Sequence, residues 1–160
     1  MSKILIVYDS RSGNTAKMAE EIAEGVKQSG AEVEIKRADE AKPNDLVTAD
    51  GIILGSPNHF GTMSEKMKAF INESVEVRKK LENKVGAAFT SGAAIGGGVE
   101  TTIFSLIQAM MIHSMIIIGD PMDAAGHYGA VSIGPLDDKT KDTCHKLGKR
   151  VGDLAQRLGR

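Results

Sequence analysis

Ile4-Leu5-Ile6-Val7-Tyr8-Asp9-Ser10-Arg11-Ser12-Gly13-Asn14-Thr15 decides the fold, because an apolar run empties directly into a turn of Ser, Arg, Gly, Asn and Thr. Met18, Ala19, Ile22, Ala23 and Val26 then recur at helical spacing up to Gly30, which stands where a C-cap would. A strand, a polar turn and an amphipathic helix in that order begin a βαβ unit. Three further apolar runs, Ile52 to Leu54, Val85 to Phe89 and Met115 to Ile118, have the length of strands covered by helices on both faces of a parallel sheet. Ligands of such sheets sit at the carboxyl ends of the strands.

Working outward, Glu32 to Arg37 alternates, with Val33 and Ile35 on one side and Glu34 and Lys36 on the other, as a half-exposed strand does. Strands are thus predicted over 4–9, 32–37, 51–55, 85–91 and 115–119. Ser64 opens a helix carrying Met67, Phe70, Ile71 and Val75, and Val99 to Ile112 forms another. Asp137 to Leu158 closes the chain as a helix burying Cys144, Leu147, Val151, Leu154 and Leu158, with Gly159 behind it. The stretch from Asp120 to Leu136, with Pro121, Gly126, Gly129, Gly134 and Pro135, exceeds the roughly 12 to 15 residues of ordinary structureless connections and reads as a functional loop. Right-handed crossovers then give an α/β three-layer sandwich around a five-stranded parallel sheet in order 2-1-3-4-5.

A length of 160 residues with 41% hydrophobic residues suits one domain, residues 1–160. With 20 basic residues against 21 acidic ones, no global field attracts nucleic acid or an anionic membrane. No apolar stretch approaches the roughly 20 residues that span a bilayer, and Met1 to Lys3 runs straight into the first strand without a leader pattern. A lone Cys144 forms no internal disulfide and fits a reducing compartment, so the expected location is the cytoplasm.

Three loops carry the chemistry. The first, Ser10, Arg11, Ser12, Gly13, Asn14 and Thr15, offers hydroxyls and an amide at a helix start, where unpaired N–H groups and the helix dipole favour a phosphate. The same residues could also serve only to cap their own helix. The second, Ser56, Pro57, Asn58, His59, Phe60 and Gly61, sets a flat aromatic beside polar groups; Phe60 could cover a planar ring or lie on the domain surface. The third, from Thr90, Ser91, Gly92 and Ala93 through Gly96, Gly97 and Gly98, nearly lacks side chains, so backbone can approach a ligand edge, or simply flex. All three end strands one, three and four, around the switch point of the predicted order.

Other phosphate and hydrolytic chemistries lack their residues. No Gly-x-x-x-x-Gly-Lys-Ser/Thr or Gly-x-Ser-x-Gly occurs, and the glycine triplet follows the fourth strand, where a dinucleotide fingerprint does not belong. Neither Cys-x-x-Cys nor His-Glu-x-x-His is present, so no metal is expected.

Through Tyr8-Asp9-Ser10-Arg11-Ser12-Gly13-Asn14-Thr15, Gly55-Ser56-Pro57-Asn58-His59-Phe60-Gly61-Thr62-Met63-Ser64, Phe89-Thr90-Ser91-Gly92 with Gly96-Gly97-Gly98-Val99-Glu100, and Gly126-His127-Tyr128-Gly129-Ala130, the chain resembles the flavodoxin-like superfamily. Within it, the chain looks most similar to the WrbA-type NAD(P)H:quinone oxidoreductases. The resemblance implies FMN as cofactor: Ser10 to Thr15 would hold its phosphate, Asn58 to Phe60 would contact its ring and ribityl chain with Pro57 and Gly61 also at the cofactor, and Ser91 to Gly97 would line the pyrimidine edge. It further implies hydride transfer from NAD(P)H to flavin N5 and two-electron reduction of a quinone, with His59, Phe60, His113 and His127 shaping the acceptor slot. The family's flavin-site Trp and phosphate-loop Tyr have no counterpart, since the chain holds no Trp and Ser12 stands at the Tyr position. It also lacks the family's insertion before the third strand.

His113 would begin the fifth strand, at the end of the sheet opposite its own flavin loops, and could reach a flavin most readily across a subunit interface. A flavodoxin-type electron carrier, docking on redox partner proteins and cycling through the FMN semiquinone, is the rival reading. Ile103, Phe104, Leu106, Ile107, Met110, Met111 and Ile112 are too many for one core-facing stripe, which points to a homodimer or homotetramer unless the long loop covers them.

Overall fold

The computed structural model describes residues 1–159; Arg160, included in the one-domain reading, lies outside them. The strands β1 (Lys3–Tyr8), β2 (Glu32–Arg37), β3 (Gly51–Pro57), β4 (Val85–Gly92) and β5 (Ile116–Ile117) form a sheet in the order β2-β1-β3-β4-β5. All pairings between them are parallel. β3 is buried along its whole length and aligns Gly51 with Ile4 on one side and with Val85 on the other. Continuous apolar runs, without alternation, therefore belong to the two-sided interior of the sheet.

Helices α1 (Asn14–Gln28) and α5 (Asp138–Leu158) cover one face, where Ile4, Ile6, Ile53 and Phe89 pack against Met18, Ile22, Leu147 and Val151. The opposite face carries α2 (Pro43–Thr48), α3 (Glu65–Glu73) and α4 (Val99–Ile112), with Leu5, Leu54 and Ala88 against Leu46, Met67, Phe70, Ile103 and Leu106. Each fully buried Leu or Ile contributes about 1.5–3 kcal/mol, so these two clusters carry most of the stabilisation. α1 and α5 approach so closely that a Cβ on Gly25 would lie 2.0 Å from the His145 carbonyl oxygen, and one on Gly148 equally near that of Ile22.

The structure departs from expectation at five points. A sixth strand, β6 (Ala130–Ile133), lies inside the stretch read as a long loop and pairs parallel with Phe89–Gly92 of β4. The predicted fifth strand of 115–119 is reduced to two residues, which pair only with Val85 and Gly86. Eight-residue β4 thus has its outer edge completed in two pieces, with residues 118–129 looping out between them. A short helix, α2, was missed between β2 and β3; Pro43 at its first turn and the Asp45 carboxylate accepting from the Lys42 N–H start it, but six residues are too few for a periodic signal. Val75 lies in a 3-10 segment, Ser74–Lys80, and is 65% exposed. In α5, Leu154 is half-buried and Leu158 is 51% exposed, because the helix outruns the sheet it covers.

Candidate functional site: three loops at the carboxyl rim of the sheet

The loops after β1, β3 and β4 all leave the same rim, since those strands are consecutive neighbours in the sheet. The first reaches Gly13 in the left-handed region, φ 101°, where Gly alone is at ease, and α1 starts from it with no side-chain cap. The Gly13 N–H is taken by Ser10 Oγ at 3.2 Å. The third loop repeats the device: Gly98, φ 101°, precedes α4, again without a side-chain cap. By contrast α3 and α5 are capped by Ser64 and Asp137, whose side chains accept from Met67 N–H and Thr140 N–H. The helices behind the first and third loops thus keep their first-turn N–H groups free for an external acceptor.

Not every side chain of the first loop faces outward. Thr15 is buried and its Oγ1 lies 2.7 Å from Ser91 Oγ, so these two hydroxyls bond each other. Arg11 and Ser12 are exposed, and Ser10 and Asn14 are half-buried. Arg37, which sequence reasoning missed, reaches over Tyr8 and donates to the Ser10 carbonyl oxygen at 3.4 Å, with Asp9 Oδ1 at 3.6 Å. Its signal was slight: a cation at the carboxyl end of the neighbouring strand. Beside it, Lys66 bonds Asp39 at 2.9 Å and holds that carboxyl below its usual range. A cleft of about 530 Å³, lined by Asp9, Ser10, Arg11, His59, Ser64, Glu65 and Lys66, opens between the first two loops.

The second loop is a tight hairpin turn. His59 N–H donates to Thr62 O and Thr62 N–H to His59 O, leaving Phe60 and Gly61 as the two turn residues. Both have positive φ, 52° and 78°. Gly or Asn normally fills the first of these positions, and a bulky aromatic there is strained by about 1 kcal/mol. Phe60 is nevertheless fully exposed, its ring standing clear of the protein. Pro57 is buried at the end of β3, and Ser56 Oγ accepts from Ser64 N–H at 2.8 Å, tying the loop's far end to the start of α3. Asn58 makes no outward contact: Oδ1 accepts from Gly61 N–H at 2.8 Å and Nδ2 donates to Gly97 O at 2.5 Å.

In the third loop Ala93, Ile95, Gly96 and Gly97 are exposed, while Ser91 is buried and Gly92 half-buried. Ile95 stands out almost as far as Phe60 does. Two apolar side chains therefore stand on the second and third loops, which carry no Asp, Glu, Lys or Arg, and such a pair suits a planar ring.

The two histidines lie elsewhere. His113 ends α4, at the opposite end of the sheet, buried with Nε2 2.7 Å from Ser74 Oγ; burial pushes its pKa down. His127 is exposed on the looped-out segment beside the edge strand, its carbonyl packed on Gly119. Neither is brought among the three loops within one chain. Cys144 is fully buried, and burial pushes its thiol up to about 12, which removes it from chemistry. Among the described residues no cluster of three His, Cys, Asp or Glu could hold a metal, and no helix is long and apolar enough to cross a membrane.

Comparison with known proteins agrees with this geometry. Residues 5–115, from β1 to the residue before β5, match the flavodoxin domain. An Archaeoglobus fulgidus protein named NAD(P)H dehydrogenase (quinone) is 36% identical over 99% of this chain and 100% of its own length. An Aquifex aeolicus protein named flavodoxin is 38% identical over 96% of this chain and 86% of its own. The crystal structure of a flavodoxin, WrbA-like protein from Agrobacterium tumefaciens superposes with a TM-score of 0.81 at 25% identity, covering 98% of this chain and 99% of that one. With the sheet order, the rim loops and nearly full-length relatives all in accord, the chain belongs to the flavodoxin domain family.

Proposed function

We propose that this chain is an FMN-dependent NAD(P)H:quinone oxidoreductase built as one domain over residues 1–160. The observation that carries the reading is Phe60, a fully exposed aromatic held at positive φ on a two-residue turn beside a loop of glycines. Strain of that kind persists where it serves a ligand. The names of the A. fulgidus relative and of several others, all NAD(P)H dehydrogenase (quinone), favour the enzyme.

The residues present fit FMN. Free N–H groups at the start of α1, with the hydroxyls of Ser10 and Ser12, Arg11 and the Asn14 amide, would hold its phosphate. Phe60 and Ile95 would wall the ring, His59 would border the cleft beside it, and the backbone of Gly92, Ala93 and Gly96, with Gly97 alongside, would line the ring's carbonyl edge. Bound there, FMN supplies the redox chemistry, taking two electrons from NAD(P)H and delivering them to a quinone. The chain's own part is to orient the ring, exclude water from one face and leave the other open to flat reactants; no protein nucleophile or base is required. His113 and His127 act on the acceptor side only where copies of the chain meet. The homodimer or homotetramer forms through the exposed Val75, Met111 and Ile112 flanking the groove between α3 and α4, and the protein works in the cytoplasm.

Reconstitution with FMN, followed by anaerobic NADPH or NADH, tests the proposal: the bound flavin's absorption is expected to bleach and to return on adding a quinone. A colourless protein after desalting would end the FMN reading. The second reading, an electron carrier between redox proteins, is favoured by the A. aeolicus relative named flavodoxin; flavin that binds but is not bleached by either nucleotide would select it.

A further inference from the structure

We infer that Asn58 is a positioning residue, not a flavin ligand: its side chain clasps the second loop to the third and to α4, fixing the two ring walls as one unit. Oδ1 accepts from Gly61 N–H at 2.8 Å and from the Thr102 hydroxyl at 3.2 Å, and Nδ2 donates to the Gly97 carbonyl at 2.5 Å. The backbone joins in, since Asn58 N–H donates to Ser91 O at 2.8 Å. The amide can sit only one way round. Reversed, it would set Nδ2 against the Gly61 N–H donor and Oδ1 against the Gly97 carbonyl.

The loops are also in van der Waals contact behind the clasp: a Cβ on Gly98 would lie 2.7 Å from Gly61 Cα. Thr102, buried in the first turn of α4, sits where it can donate to Asn58 Oδ1 or to Gly98 O at 2.8 Å, so the same hydroxyl serves loop and helix start. Among the described residues, and apart from the link between Asn58 and Gly97, the Gly-rich stretch 93–97 has only its internal Gly97 N–H to Ala94 O bond to order it. Loosening Asn58 therefore frees the third loop and unseats Phe60's turn, which loses the bond to Gly61 N–H. Prepaying that order in the empty protein makes the ring slot ready for a planar ligand.

The inference rests on the proposed FMN site for its consequence, though not for its geometry. The variants are Asn58→Asp, which keeps size but sets a carboxylate against the Gly97 carbonyl, and Asn58→Ala. Hydrogen exchange of flavin-free protein is expected to quicken about tenfold at amides 59–61 and 96–98, the loss of one or two hydrogen bonds, with α1 and β3 unchanged. In binding titrations FMN and riboflavin are expected to weaken by the same factor, again about tenfold, and the flavin's midpoint potential to shift, which a general loss of stability would not cause. Unchanged loop exchange, or weaker FMN with unaltered riboflavin, would overturn the clasp. Weaker binding of both flavins without faster loop exchange would make Asn58 a direct ligand instead. If the unaltered protein took up no flavin, the functional proposal would fall while the exchange data still decided the clasp.

Discussion

Thr15 Oγ1 and Ser91 Oγ lie 2.7 Å apart, buried, and join the loop after β1 to the end of β4 across 76 residues of sequence. Each hydroxyl is the other's partner, so the pair locks the first rim loop to the third through the protein interior. Thr15→Val would leave Ser91 Oγ without a partner and is expected to cost about 1–3 kcal/mol in urea unfolding. Adding Ser91→Ala should cost less than the two single changes summed, with a coupling of about 0.5–3 kcal/mol. Strict additivity would show that the hydroxyls do not bond.

Asp120 poses the opposite problem. It is buried at the start of the looped-out segment, and neither carboxylate oxygen has a hydrogen-bond partner among the described residues. Arg150 donates to the carbonyls of Gly119 and Asp120, not to the carboxylate. An unpartnered buried charge destabilises a fold, so Asp120→Asn is expected to raise unfolding stability at pH 7 by about 1–3 kcal/mol, read as a higher urea midpoint with unchanged m. A lowered midpoint would mean that the carboxylate holds the loop in place.

The parts that sequence made legible were those with a strong local pattern. Continuous apolar runs marked β1, β3 and β4, helical spacing set α4 to its observed bounds, and turn residues marked the loops that share the rim. The split of the outermost strand was not legible, because its two pieces of two and four residues take their strand character from the long edge of β4, not from their own periodicity. Ala130-Val131-Ser132-Ile133 before Gly134-Pro135 was the faint signal. In the site, residue types were readable but directions were not. Nothing in the sequence distinguishes the hydroxyl of Ser12, which faces solvent, from that of Thr15, which faces Ser91, or reveals that the Asn58 amide is turned inward.

His113 should make stability sensitive to mild acid. Burial lowers its folded pKa, so the unfolded chain takes up a proton near pH 6.5 while the folded chain resists it. Stability is then intact above about pH 6.5, falls as pH drops below that value, and levels once folded His113 also protonates. Lys3 and Lys36 hold Glu34, Lys66 holds Asp39 and Lys36 holds Asp45 below the usual range, and their loss appears only nearer pH 4. Urea midpoints between pH 7 and 5 are expected to decline for the natural chain and to flatten in His113→Gln; equal slopes would remove the histidine from the account.

The face that carries His113 also bears on assembly. Met111, Ile112 and Val75 are each more than 60% exposed, whereas Phe104, the other outward apolar residue of α4, already packs on Tyr128 with ring centroids 4.8 Å apart. The looped-out segment thus covers one end of α4 and leaves the other bare. Between that bare end and α3 runs a groove of about 510 Å³ whose lining includes Lys68 and Arg78 but no acidic side chain. Two copies meeting through this face would bury the apolar rim and keep the cations at its margin. Ile112→Lys would add a further like charge to the contact while staying solvated in a monomer. Light scattering at micromolar concentration is expected to give a dimer or tetramer for the natural chain and a monomer of unchanged circular dichroism for Ile112→Lys. A natural chain that is already monomeric would assign the exposed apolar end of α4 to something other than a second copy.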